Sequence, residues 1–252
     1  MYDDLKLDLC RGARLLFRQG LSVGIAGHLS IKVAPERMLA NRFGPSFGTV
    51  VPADILTLDL EGNILDGKGY VNDTIRLHGV IHRHNPDIVA LAHTHPPGVV
   101  TFSALRVLPE IYDQESCFLA GEIGIVEEDY SGLASKEERV RPMAEALRKW
   151  HAVIMPNHGA LTQGANVQQA VFFMLLLEGM VQRHLAVAGA SRATGLAARP
   201  IAAEIARATK QELNNLKALP LVWEDVMARL RLSDPGLFSS EPSRDPVSSP
   251  VR

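Results

Sequence analysis

The sequence predicts an α/β fold, a single domain in which a sheet is covered by helices, and three observations carry that prediction. Short apolar runs of strand length are interleaved with longer segments of helical period, the pattern of strands and helices packed in layers. The 252 residues, 46% of them hydrophobic, suffice for one sizeable core. Two of the apolar runs end in histidine and are followed at once by chain-turning residues, which suggests a site at one rim of the sheet.

Leu5, Leu9, Ala13, Leu16 and Phe17 recur at helical spacing before Gly20, predicting a first amphipathic helix with a glycine stop. His28 to Val33 and Gly48 to Leu60 read as strands, and Glu61-Gly62-Asn63 as a hairpin turn into Ile64-Leu65. Thr74 to His84 reads as a helix whose inner face holds Ile75, Leu77, His78, Ile81 and His82, ended by Asn85-Pro86. The run Ile88 to Ala92 is a buried strand leading into His93-Thr94-His95, and Pro96-Pro97-Gly98 stops it. Val100 to Leu105 reads as a short helix, Phe118 to Val126 as strand and turn, and Lys136 to Trp150 as a helix capped by Ser135. Ala152 to Met155 is the strand before His158, followed by a long helix from Val167 to Ala188. Helical character resumes at Ile201 to Leu216 and Trp223 to Leu230. These segments make one domain over 1–232, and the Ser-, Pro- and charge-rich stretch 233–252 is expected to be a disordered tail.

Charge and cysteine content narrow the function classes. A formal net charge of -2 with interspersed signs offers no basic stripe for nucleic acid, so small-molecule chemistry is the natural expectation. Cys10 and Cys117 are too few for a disulfide scaffold, and no charged-then-apolar leader opens the sequence, so the expected compartment is the cytoplasm. The apolar stretch Ala170 to Leu177 is shorter than a membrane span and is interrupted by Glu178 and Gly179, so no membrane partner is expected.

Strand side chains alternate in direction, so His93 and His95 leave the strand on the same face and can converge on one point. A pair of hydrogen-bonded surface histidines has the same spacing and stays open as an alternative. His158, in Pro156-Asn157-His158-Gly159 after a second strand, shifts the weighing. Three neutral imidazoles with one position open to water are the arrangement of a catalytic metal, whereas a structural site is closed by a fourth ligand.

Four stretches together resemble the class II aldolase/adducin family over roughly Leu5 to Ala188. They are Gly24-Ile25-Ala26-Gly27-His28-Leu29-Ser30, the helix holding His78 with Pro86-Asp87 after it, His93-Thr94-His95-Pro96, and Asn157-His158-Gly159. The resemblance implies a class II aldolase-like central, mostly antiparallel sheet covered by helices, and a homotetramer with active sites near subunit boundaries. It implies too that His93, His95 and His158 bind one divalent ion, usually zinc, which polarises a substrate carbonyl. Family sugar-phosphate aldolases carry a Glu, and related epimerases an Asp, at the position of Thr74, and a hydroxyl cannot replace a carboxylate as base at neutral pH. Asp73 is adjacent, but one residue along a helix turns a side chain by about 100°, so Asp73 serves only where the backbone is not regular helix. The phosphate-binding positions hold Gly27-His28 and Asn72-Asp73, and Asp73 would repel an anion, so the substrate is expected to carry no phosphate. The aldolases' C-terminal catalytic tyrosine has no counterpart, since Tyr130 is the last tyrosine.

His28, Asp73 and Tyr130 are therefore the candidate catalytic residues beside the metal ligands. His28 has a pocket role or a local hydrogen bond, and Tyr130 a proton-donating role or a turn cap. His78 and His82, one turn apart, read as core or supporting residues. Tyr112, Gln114 and Glu115 follow Pro109 in a loop that the resemblance places near the pocket. Phe43 and Phe47 suit an aromatic or apolar acid, or are plain core. The expected function is metal-dependent cleavage of a carbon–carbon bond next to a carbonyl, by an aldol-type lyase or decarboxylase, in a small unphosphorylated hydroxy- or oxo-acid. Family members lacking the catalytic Glu, such as the aminocoumarin-pathway decarboxylase/oxygenases, suggest a second form: Fe(II)-dependent oxidative decarboxylation of an aromatic 2-oxo acid. A third is a non-catalytic scaffold like adducin, which would carry no stoichiometric Zn or Fe.

Overall fold

Eight strands form one sheet in the order β4-β3-β2-β1-β5-β8-β7-β6, and every neighbouring pair is antiparallel except β6 with β7. The computed structural model describes residues 2–22 and 24–238. The strands are β1 (His28–Ala34), β2 (Arg37–Asn41), β3 (Ile55–Leu58), β4 (Ile64–Asp66), β5 (Ala90–Thr94), β6 (Ile123–Ile125), β7 (Ala152–Met155) and β8 (Gly159–Gly164). The helices are α1 (Asp3–Arg18), α2 (Arg76–His84), α3 (Pro97–Ser103), α4 (Glu137–Leu147), α5 (Val167–Thr194), α6 (Ala203–Asn215) and α7 (Ala218–Ser233).

The strand alternation sorts the core into two layers. Ala90 and Ala92 of β5 and Ala152 and Ile154 of β7 face α1, α3 and α5 in the larger cluster. Leu91, Val153, Met155 and Leu161 face the opposite way and pack against Leu77, Val80 and Ile81 of α2 and Val140, Ala144 and Leu147 of α4. By length and apolar composition α5 passes the test for a membrane-crossing helix, and half of its most apolar window is buried inside this protein. Asn166 opens α5 by accepting the Gln169 N–H at 2.9 Å.

Several expected elements come out differently. Residues 48–54 are not strand: Pro52 starts a 3-10 turn, and the Asp54 carboxylate takes the Val51 N–H at 3.0 Å and the Arg42 guanidinium at 2.7 Å. Two strands lack a strand pattern in the sequence. Met38-Leu39-Ala40 of β2 is buried on both faces, so it shows no alternation, and Ala160-Leu161-Thr162 of β8 is a short run between glycines. Ser135 does not cap α4, whose N-cap is Lys136 without a side-chain bond. The predicted helix from Thr74 begins instead as a 3-10 turn over Asp73–Ile75.

The expected domain end at 232 is also displaced. Helix α7 runs to Ser233, and a further 3-10 turn, Pro235–Leu237, docks on α1. Asp234 is buried and pairs with Arg14 and with Arg18, the latter at 3.1 Å, while the Arg11 guanidinium donates to the Leu237 carbonyl at 2.9 Å and lies over the Phe238 ring. Residues 233–238 are thus part of the fold, and the rest of the expected tail, 239–252, lies outside the described residues.

Candidate active site

His93 leaves β5 on the same face as Leu91, the face covered by α2 and α4, and the backbone carries His95 just beyond the strand end. The antiparallel register sets His28 of β1 opposite His93, so a third imidazole joins the same rim. His158 arrives from the β7–β8 turn. There Asn157 adopts a left-handed φ of 57° and the His158 N–H closes back onto the Met155 carbonyl at 3.1 Å. Gly159 permits the close approach, because a Cβ there would lie 2.4 Å from the Thr94 carbonyl oxygen and 2.7 Å from Cδ2 of His95.

These placements bring one ring nitrogen from each of His93, His95 and His158 within 4.8 Å of one another. The chemistry of the donors fits a divalent ion. His93 donates its Nδ1–H to the Ala160 carbonyl at 3.0 Å, which leaves the Nε2 lone pair for a ligand. Nε2 of His95 is buried without a hydrogen-bond partner, a costly state unless something binds it. Burial holds the His93 pKa well below the usual imidazole range, aided by His158, His95 and His28. Burial lowers His95 as well, and burial with the His95 charge brings His158 to about 4. All three rings are therefore neutral, and so able to ligate, at neutral pH.

Behind them lies a second set of imidazoles whose protonation follows from one hydrogen bond. His82 donates its Nδ1–H to the Ile88 carbonyl at 3.2 Å, so its Nε2 must accept the Ser30 hydroxyl proton at 3.0 Å. The Ser30 oxygen then accepts from Nδ1–H of His78 at 2.6 Å, and His78 keeps a bare, buried Nε2. The His78 ring stands edge-on to His28, centroids 5.7 Å apart, and Nδ1 of His28 is likewise buried without a partner. Burial brings the His28 pKa to about 4 against the opposing effect of Asn72, so His28 is a neutral acceptor. His78 and His82 thus lie behind the rim, joined to each other through Ser30.

A cavity of about 270 Å³ opens over the histidines. His28, His93, His95 and His158 line one side with Asn72 and Thr74, and Ile25, Phe43, Leu77 and Leu133 supply an apolar wall. Among the described residues lining it there is no Lys, Arg, Asp or Glu. Thr74 donates its hydroxyl to Oδ1 of Asn72 at 2.7 Å, so the Asn72 amide keeps its N–H donors for other partners.

The structure does not bring every candidate together. Asp73 sits in the 3-10 turn yet is exposed and outside the cavity lining, whereas Thr74 points in. Tyr130 is 53% exposed at the rim, its ring 5.8 Å from that of His158. Tyr112 packs on His184 and Glu115 pairs with Arg183, both on α5, and neither they nor Gln114 line the cavity. Phe43 lines it and Phe47 is core. Leu133 and Ala134 line it too, from a loop in which no spacing or residue type marked them.

A mostly antiparallel sheet with histidines pooled at one rim is the architecture of class II aldolase-type proteins. The chain belongs to the class II aldolase and adducin N-terminal domain family, which it matches over residues 7–185. It is 34% identical to the 4-hydroxy-3-prenylphenylpyruvate oxygenase/4-hydroxy-3-prenylbenzoate synthase of Streptomyces roseochromogenus subsp. oscitans, across 81% of this chain and 72% of that protein. It is 30% identical to decarboxylase NovR of Streptomyces niveus, across 92% and 84%. An L-fuculose 1-phosphate aldolase structure from Glaciozyma antarctica PI12 superposes with a TM-score of 0.81 over 94% of this chain and 92% of that one, at 24% identity, a likeness of fold.

Proposed function

We propose that the protein is a metal-dependent enzyme that cleaves a carbon–carbon bond next to a carbonyl, by decarboxylation or aldol-type cleavage, in a small unphosphorylated oxo- or hydroxy-acid. One observation carries the reading: three neutral histidine donors converge beneath a cavity whose described lining holds no charged side chain. His93, His95 and His158 would hold the ion, Zn or Fe(II), which when bound supplies Lewis acidity toward a carbonyl and its neighbouring carboxylate. The apolar wall of Phe43, Leu77 and Leu133 excludes water and suits an aromatic or apolar substituent. Asn72 offers N–H donors to a substrate oxygen, and the neutral His28 offers a hydrogen-bond acceptor beside it. Tyr130, exposed at the rim beside His158, would exchange a proton with solvent. Thr74 is excluded as base by its ordinary hydroxyl chemistry, and the exposure of Asp73 argues against a catalytic role.

Oxidative decarboxylation of an aromatic 2-oxo acid with Fe(II) is the second reading, favoured by the oxygenase name of the 34% identical relative and by the missing carboxylate at Thr74. Elemental analysis of anaerobically purified protein, followed by carbon dioxide release from aryl 2-oxo and hydroxy acids with and without oxygen, tests both. Stoichiometric metal with carbon dioxide release is expected. Protein without stoichiometric metal would instead support an adducin-like scaffold. A homotetramer belongs to the same proposal, supported by the family membership, and light scattering of the purified protein checks it.

A further inference from the structure

Helix α3 touches both histidine-bearing strand ends. It begins two residues after His95, and its last residue, Ser103, reaches the turn that carries His158. The Ser103 hydroxyl donates to the Val100 carbonyl at 2.7 Å, so its oxygen is left to accept the Asn157 N–H at 2.9 Å. Asn157 is the left-handed residue immediately before His158, where a lost restraint would let the turn relax. At the other end of α3, Glu178 reaches out of α5 while buried. Its Oε1 accepts the Gly98 N–H and its Oε2 the Val99 N–H, both at 2.9 Å, and Gln182 donates to Oε1 at 2.8 Å. Gly98 is needed for this approach, since a Cβ there would lie 2.4 Å from Nε2 of Gln182 and 2.7 Å from Oε1 of Glu178.

We propose that Glu178 and Ser103 are positioning residues of the histidine centre, joined by α3 as a strut: Glu178 anchors the segment after His95, and Ser103 anchors the turn before His158. The inference rests on the reading of His93, His95 and His158 as a metal site. Because the strut is one short helix, the separation of two of the three donors is set by a single packed piece, pinned at one end by buried hydrogen bonds to a carboxylate and at the other by a partly buried hydrogen bond to a hydroxyl. Neither residue lines the cavity, so each acts through the histidine next to its anchor.

The test uses the full chain stripped of metal, with Ser103→Ala, Glu178→Gln and, as a control on the exposed side of the same helix, Thr101→Ala. Zinc affinity is read by competition with a chromophoric chelator, ligand geometry by the visible absorption of the Co(II) form, and folding by the melting temperature of the apoprotein. Ser103→Ala and Glu178→Gln should each weaken zinc by about 10- to 100-fold, as supporting hydrogen bonds to metal ligands typically do, and shift the cobalt spectrum. Thr101→Ala should change neither. In a His158→Ala background Ser103→Ala should have no further effect, whereas Glu178→Gln should still weaken zinc through His95. Wild-type affinity and spectrum in both variants, or an undiminished Ser103→Ala effect without His158, would overturn the strut. If Glu178→Gln does not fold, the Ser103→Ala pair decides alone. A wild-type protein that binds neither zinc nor cobalt would overturn the metal-site reading itself, and the strut with it, a result distinct from wild-type binding that the variants leave unchanged.

Discussion

Strand β7 has a histidine at each end, and the two do opposite things. His151, just before it, donates to the Glu122 carboxylate, which also pairs with Lys210, so the cluster satisfies itself. Burial tends to raise the Glu122 pKa, but the hydrogen bonds from Lys210 and His151 outweigh it and the net shift is downward. His158, beyond the other end, joins rings that carry no carboxylate partner and surround unpaired nitrogens on His28, His78 and His95. Both clusters border cavities, of about 380 Å³ at Glu122 and about 270 Å³ at the rim. What separates the candidate site from the self-satisfied ion cluster here is unspent hydrogen-bonding and ligating capacity, more than the presence of histidine or of a hollow.

The sharpest way to break that comparison is to remove a donor at the rim. His93→Ala, His95→Ala or His158→Ala should weaken metal binding so that the purified protein holds well below one ion per chain, and lower activity by more than about 100-fold, beyond what supporting residues cost. The apoprotein melting temperature should move by only a few degrees, roughly what a kcal/mol is worth in a chain of this size. Metal analysis beside a thermal melt checks both, and retained metal in any one variant would remove that residue from the site.

Next in size is substrate charge. A sugar phosphate would bring a dianion to a cavity whose described lining offers no cation, so it should turn over at least about 100-fold less efficiently than an aryl 2-oxo acid. Comparable kcat/KM values for the two would show that charge is met by residues not in the lining.

Thr74→Glu sharpens the choice between the two chemistries, because Thr74 faces the cavity from the first turn before α2. The expected outcome is loss of activity with metal retained, since a carboxylate beside the three histidines would compete for a coordination position. A faster native reaction would instead mark ordinary aldol chemistry short of a base.

The smallest effect belongs to the other end of β7. Glu122→Gln should leave metal content and kcat/KM within about twofold, because a self-satisfied, partly exposed ion cluster contributes little and lies outside the rim. Its signature is in pH. The folded carboxyl is more acidic than the unfolded one, so its stabilising contribution is present above the unfolded value of about 4.3 and is lost as pH falls through the lower folded value. Melts of wild type and variant should therefore differ at neutral pH and converge in acid.

Much of this was legible in the residues because the relevant periods are local. The 3.6-residue recurrence of Leu5, Leu9, Ala13 and Leu16 is α1, and the two-residue period from Leu91 through His93 to His95 is enough to put both imidazoles on one face. Asn157-His158-Gly159 announces a turn at a strand end by composition alone, and α1 and α2 stand close to where their patterns begin and end, while α5 starts at Val167 as its pattern does and runs six residues past Ala188 to Thr194. Where the local signal is flat the sequence shows no strand, as in β2, which has no polar alternation, and β8, a short run between glycines, and residues 48–54 look like strand although Thr49 and Val50 close back onto Ser46 and a 3-10 turn covers Pro52–Asp54.

The sequence by itself determined which side chains are able to ligate, which strands carry them and that Thr74 cannot be a base. Only the tertiary structure decided that Thr74 rather than Asp73 faces the cavity, that Leu133 and Ala134 help wall it, that residues 233–238 dock through Asp234 onto Arg14 and Arg18, and that Ser103 holds the turn before His158. The physical reason is range. Period, turn chemistry and side-chain acidity are properties of a few neighbouring residues, whereas lining a cavity or pairing a buried charge depends on groups brought together across more than 50 to 200 positions of chain, and no local pattern encodes which of them will meet.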